Sequence, residues 1–272
     1  MKRPNIEIRE LRTIQEYEEC VALQRATWGE SFREVVAPAM LMVTQKVGGV
    51  TAGAFDEAGD LVGFVYGVTG IREGRPAHWS HMLAVREDLR DMGIGRRLKL
   101  YQRDRLRELG IDRMYWTFDP LVARNANLNL NKLGARVVEY VPDMYGQDLM
   151  SLMDRVIGTD RFVVEWPLDA PQGEPKEAAA PSPDAPLVTA DPAKGEPYDA
   201  AELPTVQEVL VEIPEDIASI QATDPEAALF WRRTTRRALQ HYLGKAYRVA
   251  GFMPRGRGAG GRRSYVVREV SP

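Results

Sequence analysis

Apolar and polar residues alternate in "IEIRELRT", Ile6 to Thr13, with the period of a half-buried strand. The spacing then lengthens. In "TIQEYEECVALQRATWG", Ile14, Tyr17, Val21, Leu23 and Trp28 can line one side of a helix, with Thr13 as its cap. An apolar run opening at Pro38 predicts a second helix, since proline suits a first turn. "VTAGAFDEAGDLVGFVYGVTGI" predicts a hairpin turning at Asp56 to Asp60. A strand is expected from about Trp79 to Val85, then a glycine turn, then a helix from about Gly95 to Leu109 closed by Gly110. "IDRMYWTFDP" predicts another strand, "ARNANLNLNKLGA" a short helix ending at Gly134, and "ARVVEYV" and "DRFVVEWPL" two further strands.

The pattern breaks between Pro171 and Pro204, where Pro, Ala, Glu and Asp dominate. Such composition predicts a linker or flexible excursion. Beyond it come a strand in "TVQEVLVEIP", a long helix with Asp224 as cap, Pro225 at its first position and Gly244 at its end, and two paired strands. The organisation expected is a domain over 1–168, a linker over 169–204, and a smaller strand–helix–strand–strand unit over 205–272.

Composition narrows the function classes. The 272 residues include 44% hydrophobic and 28% charged side chains, with a net charge of −3. That balance permits a core and does not suit a nucleic-acid partner, whose binder is usually strongly basic. The single cysteine, Cys20, excludes an intrachain disulfide framework and a cysteine-rich zinc site, and three histidines are too few and scattered for a metal site. No apolar run is long enough for a signal peptide or a membrane span. A reducing, cytoplasmic setting is the expectation.

The chemistry concentrates in "VREDLRDMGIGRRLKLYQRDRLRELG". A helix N-terminus presents unpaired N–H groups and the positive end of its dipole. Gly93 and Gly95 remove side chains that would obstruct an anion, and Arg90, Arg96 and Arg97 add charge-assisted donors. These features suit a pyrophosphate; a tight loop with solvated arginines is the bland alternative. The dinucleotide fingerprint fails, because no third glycine follows and several elements precede the loop. The Walker pattern fails as well, for want of G-K-S or G-K-T.

Arg90-Asp91-Met92-Gly93-Ile94-Gly95, after a strand and opening a helix, resembles the Arg/Gln-x-x-Gly-x-Gly/Ala signature of the GNAT acyl-CoA N-acyltransferases. Downstream, "NANLNLNKLGA" is similar to the family's Asn, Ala, Leu-Tyr-x-Lys-x-Gly-Phe segment, with a strand between the two as in that family. The resemblance covers roughly residues 5 to 168. It implies an α/β fold with a mixed, mostly antiparallel central sheet and flanking helices, plus the smaller α+β carboxy-terminal unit. It also implies acetyl-CoA or another acyl-CoA as donor, with no metal. Backbone N–H groups of Met92, Gly93, Ile94, Gly95, Arg96 and Arg97 would hold the pyrophosphate, helped by Arg90. The strand edge at Met82, Leu83, Ala84 and Val85 would pair with the pantetheine arm, and Ala84 or Val85 would aim an N–H at the thioester oxygen. Asn125 would touch the pantetheine amides; helix capping is its alternative.

Aligned on Leu130, the family's tyrosine position falls on Asn131, and an amide is no general acid for a departing thiolate. Tyr101, Tyr115, Tyr140 or Tyr145 could substitute, or water could. A base for the acceptor amine would come from His81, Asp119, Glu30 or Glu34. For His81 a core or capping role is the alternative, for Asp119 a turn cap, and for the glutamates simple exposure. Cys20 gives no reason for a covalent intermediate. The acceptor would be a small-molecule amine or a peptide N-terminus or lysine, with no nucleic acid or membrane partner; an exposed sheet edge and the extra unit are compatible with a homodimer. Two other functions fit the sequence: a CoA-binding or regulatory module without transfer, and an interaction protein. Arg232, Arg233, Arg236 and Arg237 form a basic face on the last helix; a solvated face is the base case, and acidic residues of the first domain, a partner subunit or a small anion are the alternatives.

Overall fold

The computed structural model describes residues 5–30, 32–146, 157–169, 181–188, 202–254 and 263–270. The chain divides into two compact units. One comprises Met1–Trp116 and Glu165–Pro171, the other Thr117–Val164 and Gln172–Pro272.

In the first unit, β1 (Glu7–Glu10) leads into α1 (Ile14–Trp28) and α2 (Pro38–Lys46). Thr13 caps α1 in a full capping box, its hydroxyl accepting from Glu16 N while the Glu16 carboxylate accepts from Thr13 N. Three strands follow: β2 (Val50–Phe55), β3 (Leu61–Arg72) and β4 (Arg75–Val85). After α3 (Ile94–Glu108) comes β5 (Arg113–Phe118). The strands lie side by side as β1-β2-β3-β4-β5, antiparallel up to β4, with β4 and β5 parallel. The sheet is therefore mixed and mostly antiparallel, as expected from sequence.

Residue alternation along β3 assigns the faces. Phe64 meets the Trp28 ring of α1, and Tyr66 hydrogen-bonds Thr44 of α2. Gly63 and Gly67 instead face Leu98 and Gln102 of α3. The helices thus cover opposite faces, and both faces are apolar: Val62, Phe64, Val65, Ala52 and Leu98 are fully buried.

β4 begins earlier than expected. Glu73 and Gly74, both at positive φ, make a two-residue turn that pairs Arg72 with Arg75. Sequence reasoning missed this hairpin because only "EG" marks it.

The second unit holds the rest of β5, then α4 (Ala123–Ala126), which continues as a π-helical stretch over Asn127–Lys132. β6 (Arg136–Val141) and β7 (Arg161–Pro167) follow; β7 lies between β5 and β6. A separate sheet runs β10-β11-β9-β8, from β8 (Leu187–Val188), β9 (Glu208–Ile213), β10 (Tyr247–Met253) and β11 (Arg263–Glu269). Between β9 and β10 stand α5 (Ile217–Thr223), capped by Asp216, and α6 (Pro225–Leu243), capped by Asp224. α5 was not foreseen. Nor was β8, which pairs parallel with β9 inside the stretch expected to be a linker. Of the rest of that stretch, 171–180 and 189–201 lie outside the described residues.

The boundary also falls earlier than residue 168. Tyr265 of β11 donates to the Pro120 carbonyl and stacks edge-on against Phe162, while Asn131 donates to the Phe252 carbonyl. Residues 117–164 therefore share their core with the carboxy-terminal segment.

Candidate active site

β4 and β5 pair only at His78↔Met114 and Trp79↔Tyr115. Past those two pairs β4 runs on to Val85, so the edge from Ser80 to Val85 has no partner strand on its β5 side among the described residues. An extended chain bearing amides could pair there. On its other side β4 stays bonded to β3, with one irregularity: Tyr66 faces Met82 and Gly67 faces Ser80, so His81 is the extra residue of a bulge. The bulge reverses the alternation, so that Ser80 faces α3 while Leu83 and Val85 face it too.

The open edge ends at the start of α3. Gly93 is the N-cap, at φ 85°, and no side chain caps the helix. The N–H groups of Ile94, Gly95 and Arg96 therefore open the helix without intrahelical acceptors. A Cβ on Gly93 would meet nothing within 4 Å, and one on Gly95 only the side chains of Leu83 at 3.4 Å and Val85 at 4.0 Å, so space is open over the turn. Ile94, 2% exposed, anchors it from below. Met92 and Arg96 are exposed. Arg90 donates to the Val85 carbonyl at 3.3 Å and lies 3.5 Å from Glu87. Arg97 donates to the Ile6 carbonyl.

On the α1–α2 face, a cleft of about 450 Å³ opens, lined among others by Val36, Met40, Tyr66, Val68, Trp79 and His81. His81 is exposed at this cleft, with its ring edge-on to Tyr66. Partial burial among these walls lowers its pKa; the Glu34 charge opposes the shift. A histidine neutral at working pH can accept a proton. Glu30 is exposed beyond the end of α1. Cys20 is fully buried, and burial pushes its thiol up to about 12, so it is no nucleophile.

The remaining expected residues belong to the second unit. Asp119 is held by Arg232, lies 3.7 Å from Arg161, and accepts from Leu121 N at 2.8 Å. Its carboxylate is occupied by these ion pairs and by the Leu121 N–H. Tyr145 shares a hydrogen bond with Thr117 at 3.0 Å, and the Arg161 guanidinium lies over its ring. Asn125 is half-buried in α4. Asn131 is committed to Asn127 and to the Phe252 carbonyl, both at 3.0 Å. Aligning on Lys132 and Gly134 instead moves the tyrosine position to Leu130, which is buried. In either register no phenol stands there.

Sequence reasoning missed a polar seam buried between α3 and the sheet. His78 is fully buried; its Nδ1 lies 2.9 Å from the Thr69 hydroxyl and its Nε2 2.9 Å from Gln102. The Thr69 hydroxyl donates to the Gly48 carbonyl, so it accepts from Nδ1–H, leaving Nε2 to accept from the Gln102 amide. Lys99, 4% exposed, donates to the Ser80 hydroxyl at 2.8 Å and sits 4.0 Å over the Trp116 ring. Ser80 and Trp116 are the first positions past the last β4–β5 pair, so this amine sits where the strands part. Burial lowers its pKa well below the usual lysine value. Lys99→Met is expected to stabilise the protein by about 1–4 kcal/mol, since it removes a buried amine that pairs with no carboxylate among the described residues. A urea midpoint no higher than that of the unaltered protein would refute this.

Residues 14–134 match the acetyltransferase (GNAT) family. That stretch is under half of the chain, and it holds the glycine-led helix α3. Its fold is similar to a chain of the NatC complex bound to Gag peptide and CoA (16% identity, 60% of this chain and 98% of that one, TM-score 0.48). It is similar as well to aminoglycoside 6'-acetyltransferase type Ii (21% identity, 60% and 97%, TM-score 0.47). A third likeness is to the ribosomal-protein-S18-alanine N-acetyltransferase from Escherichia coli (16% identity, 60% and 94%, TM-score 0.44). No curated protein matches the chain in sequence. Among the described residues, no helix is long and apolar enough to cross a membrane, and no cluster of metal-binding side chains occurs.

Proposed function

We propose that this chain is an N-acyltransferase that moves an acyl group from acetyl-CoA or a related acyl-CoA to an amine. The observation that carries this reading is the unpaired β4 edge ending on the uncapped N-terminus of α3. The N–H groups of Gly93 to Arg96 hold the donor's pyrophosphate, with Arg96 and Arg90 nearby; the Met82–Val85 edge bonds the pantetheine amides. A backbone N–H of Ala84 or Val85 stabilises the oxygen that gains charge during attack.

The acceptor nitrogen attacks the thioester carbon, and the carbon–sulfur bond breaks. His81 takes a proton from the attacking nitrogen and returns it to solvent. The thiolate is protonated by water, since neither Leu130 nor Asn131 can do it. Asn125 and Tyr145 are proposed as further contacts to donor and acceptor. Asp119 and Glu30 rank below His81 as base.

Titration calorimetry with CoA and acetyl-CoA tests the reading. Gly95→Glu places a carboxylate in the cradle at a backbone position without positive φ, where acid also favours the helix start. It is expected to weaken binding on the order of 100-fold, about 2.7 kcal/mol of like-charge repulsion, without loss of fold. Equal binding by both proteins would overturn the assignment. A second reading, a CoA-binding module without transfer, is favoured by the missing phenol; acyl-CoA binding with no acyl release to any amine would establish it.

A further inference from the structure

The cleft at His81 has an uneven chemistry. Val36, Met40, Val68 and Trp79 make its walls, and Met40 and Val68 present their apolar surface to solvent at 54% and 39% exposure. The hydroxyl of Tyr66 is already engaged with Thr44 at 3.0 Å. Among the described residues, no aspartate, glutamate, lysine or arginine lines the cleft. Its one titratable lining group apart from the Tyr66 phenol is His81, and the Glu34 charge acts on His81. An exposed apolar patch around a single polar group is the usual form of a small-molecule site, and about 450 Å³ lies within the usual range of roughly 300–1,000 Å³.

We infer that this cleft receives the acceptor, and that the acceptor is a primary amine carried on an uncharged apolar body, with its nitrogen at His81 and its body against Met40, Val68 and Trp79. The inference rests on the acyltransferase reading and adds the substrate class. An arriving amine meets one proton acceptor, His81, on which the Glu34 charge also acts. A polyamine or aminoglycoside would bring further ammoniums into walls that offer them no partner, and burying an unpaired charge is costly. An amino acid would bring a carboxylate to a cleft without a cation. Arylalkyl and branched alkyl amines, or a peptide with an apolar first residue, satisfy both ends.

The test measures thiol release from acetyl-CoA with phenethylamine, isoamylamine, leucinamide, leucine, spermidine and an aminoglycoside. The first three are expected to exceed the last three at least about tenfold in kcat/KM, the scale set by one or two buried methylenes. Met40→Glu puts a charge on an exposed wall position and is expected to raise KM for phenethylamine about tenfold or more, leaving KM for acetyl-CoA unchanged. Val43→Glu, on the same helix and exposed but outside the cleft, is expected to change neither. Calorimetry of phenethylamine binding to the CoA-loaded protein provides a readout independent of turnover. Preference for spermidine, the aminoglycoside or leucine overturns the substrate class while leaving the acyltransferase reading intact. So does acyl-CoA binding with no phenethylamine binding. Failure to bind any acyl-CoA removes the underlying reading itself.

Discussion

Asp160→Asn is expected to lower stability by about 3–5 kcal/mol, the usual cost of breaking a buried ion pair from one side. Asp160 is fully buried in the second unit. Its carboxylate accepts from Arg236 Nε at 3.0 Å, from Asp143 N at 3.1 Å and from the Tyr140 hydroxyl, and Arg232 lies 3.8 Å away. Burial alone would raise its pKa, but the bond from Arg236, the charge of Arg232 and the Tyr140 hydroxyl together hold it below the usual value. Arg236 also bonds Asp143, and Arg232 bonds both Asp119 and the Ile157 carbonyl. The amide keeps the shape but removes the charge that these guanidiniums face. Urea unfolding followed by circular dichroism checks the loss. Pairing the change with Arg236→Gln should cost clearly less than the sum of the two single changes, because the partners left uncompensated are shared. A loss under about 1 kcal/mol, or simple additivity, would show that the network contributes little.

That network also shows how far the sequence could be read. The arginine pairs at 232–233 and 236–237 marked a basic helix face, and acidic residues earlier in the chain were among its expected partners. Which aspartates met it was not legible, because Asp119, Asp143 and Asp160 lie 72 or more residues away and nothing local links them. Local signals served well. The Thr13 capping box, Pro38 and Pro225 at helix starts, and Gly93 before α3 each act through their immediate neighbours. So the order of elements and the glycine turn could be read directly. The hairpin at Glu73–Gly74 was too short to register, and Leu187–Val188 became a strand only because β9 offers it a parallel edge.

The site divides the same way. The cradle is a contiguous motif, so its residues were found. His81 was chosen for its place at the end of a strand, but the bulge that turns it into the cleft depends on β3 and leaves no mark on the sequence. Lys99 and His78 read as one residue among the helix charges and one before a strand. Only tertiary packing makes them a buried seam, because Gly67 lets His78 and Gln102 approach where a side chain would collide with both.

His78 gives the protein a predicted acid limit. Burial pushes its pKa down to about 3, with the Lys99 charge adding to the effect. In the unfolded chain an imidazole titrates near 6.5. Between those values the unfolded state binds a proton that the folded state refuses, so stability must fall as the pH drops from about 6.5 towards 3, and level off below. The full difference is worth up to about 5 kcal/mol. His78→Gln preserves an acceptor for Gln102 and a donor for Thr69 but cannot titrate. Urea midpoints of both proteins at pH 7 and pH 4 separate this group from the carboxylates, which titrate in both. The unaltered protein is expected to lose several kcal/mol more than the variant. Lys99 sets the opposite flank: its lowered pKa means that stability rises with pH up to about 10.4, and Lys99→Met should flatten that rise. If His78→Gln and the unaltered protein lose the same stability between pH 7 and pH 4, the buried imidazole takes up its proton in the folded state as readily as in the unfolded chain. The hydrogen bond assigned to it from Gln102 would then have to be redrawn, with His78 donating at both nitrogens and the Gln102 oxygen turned towards the ring.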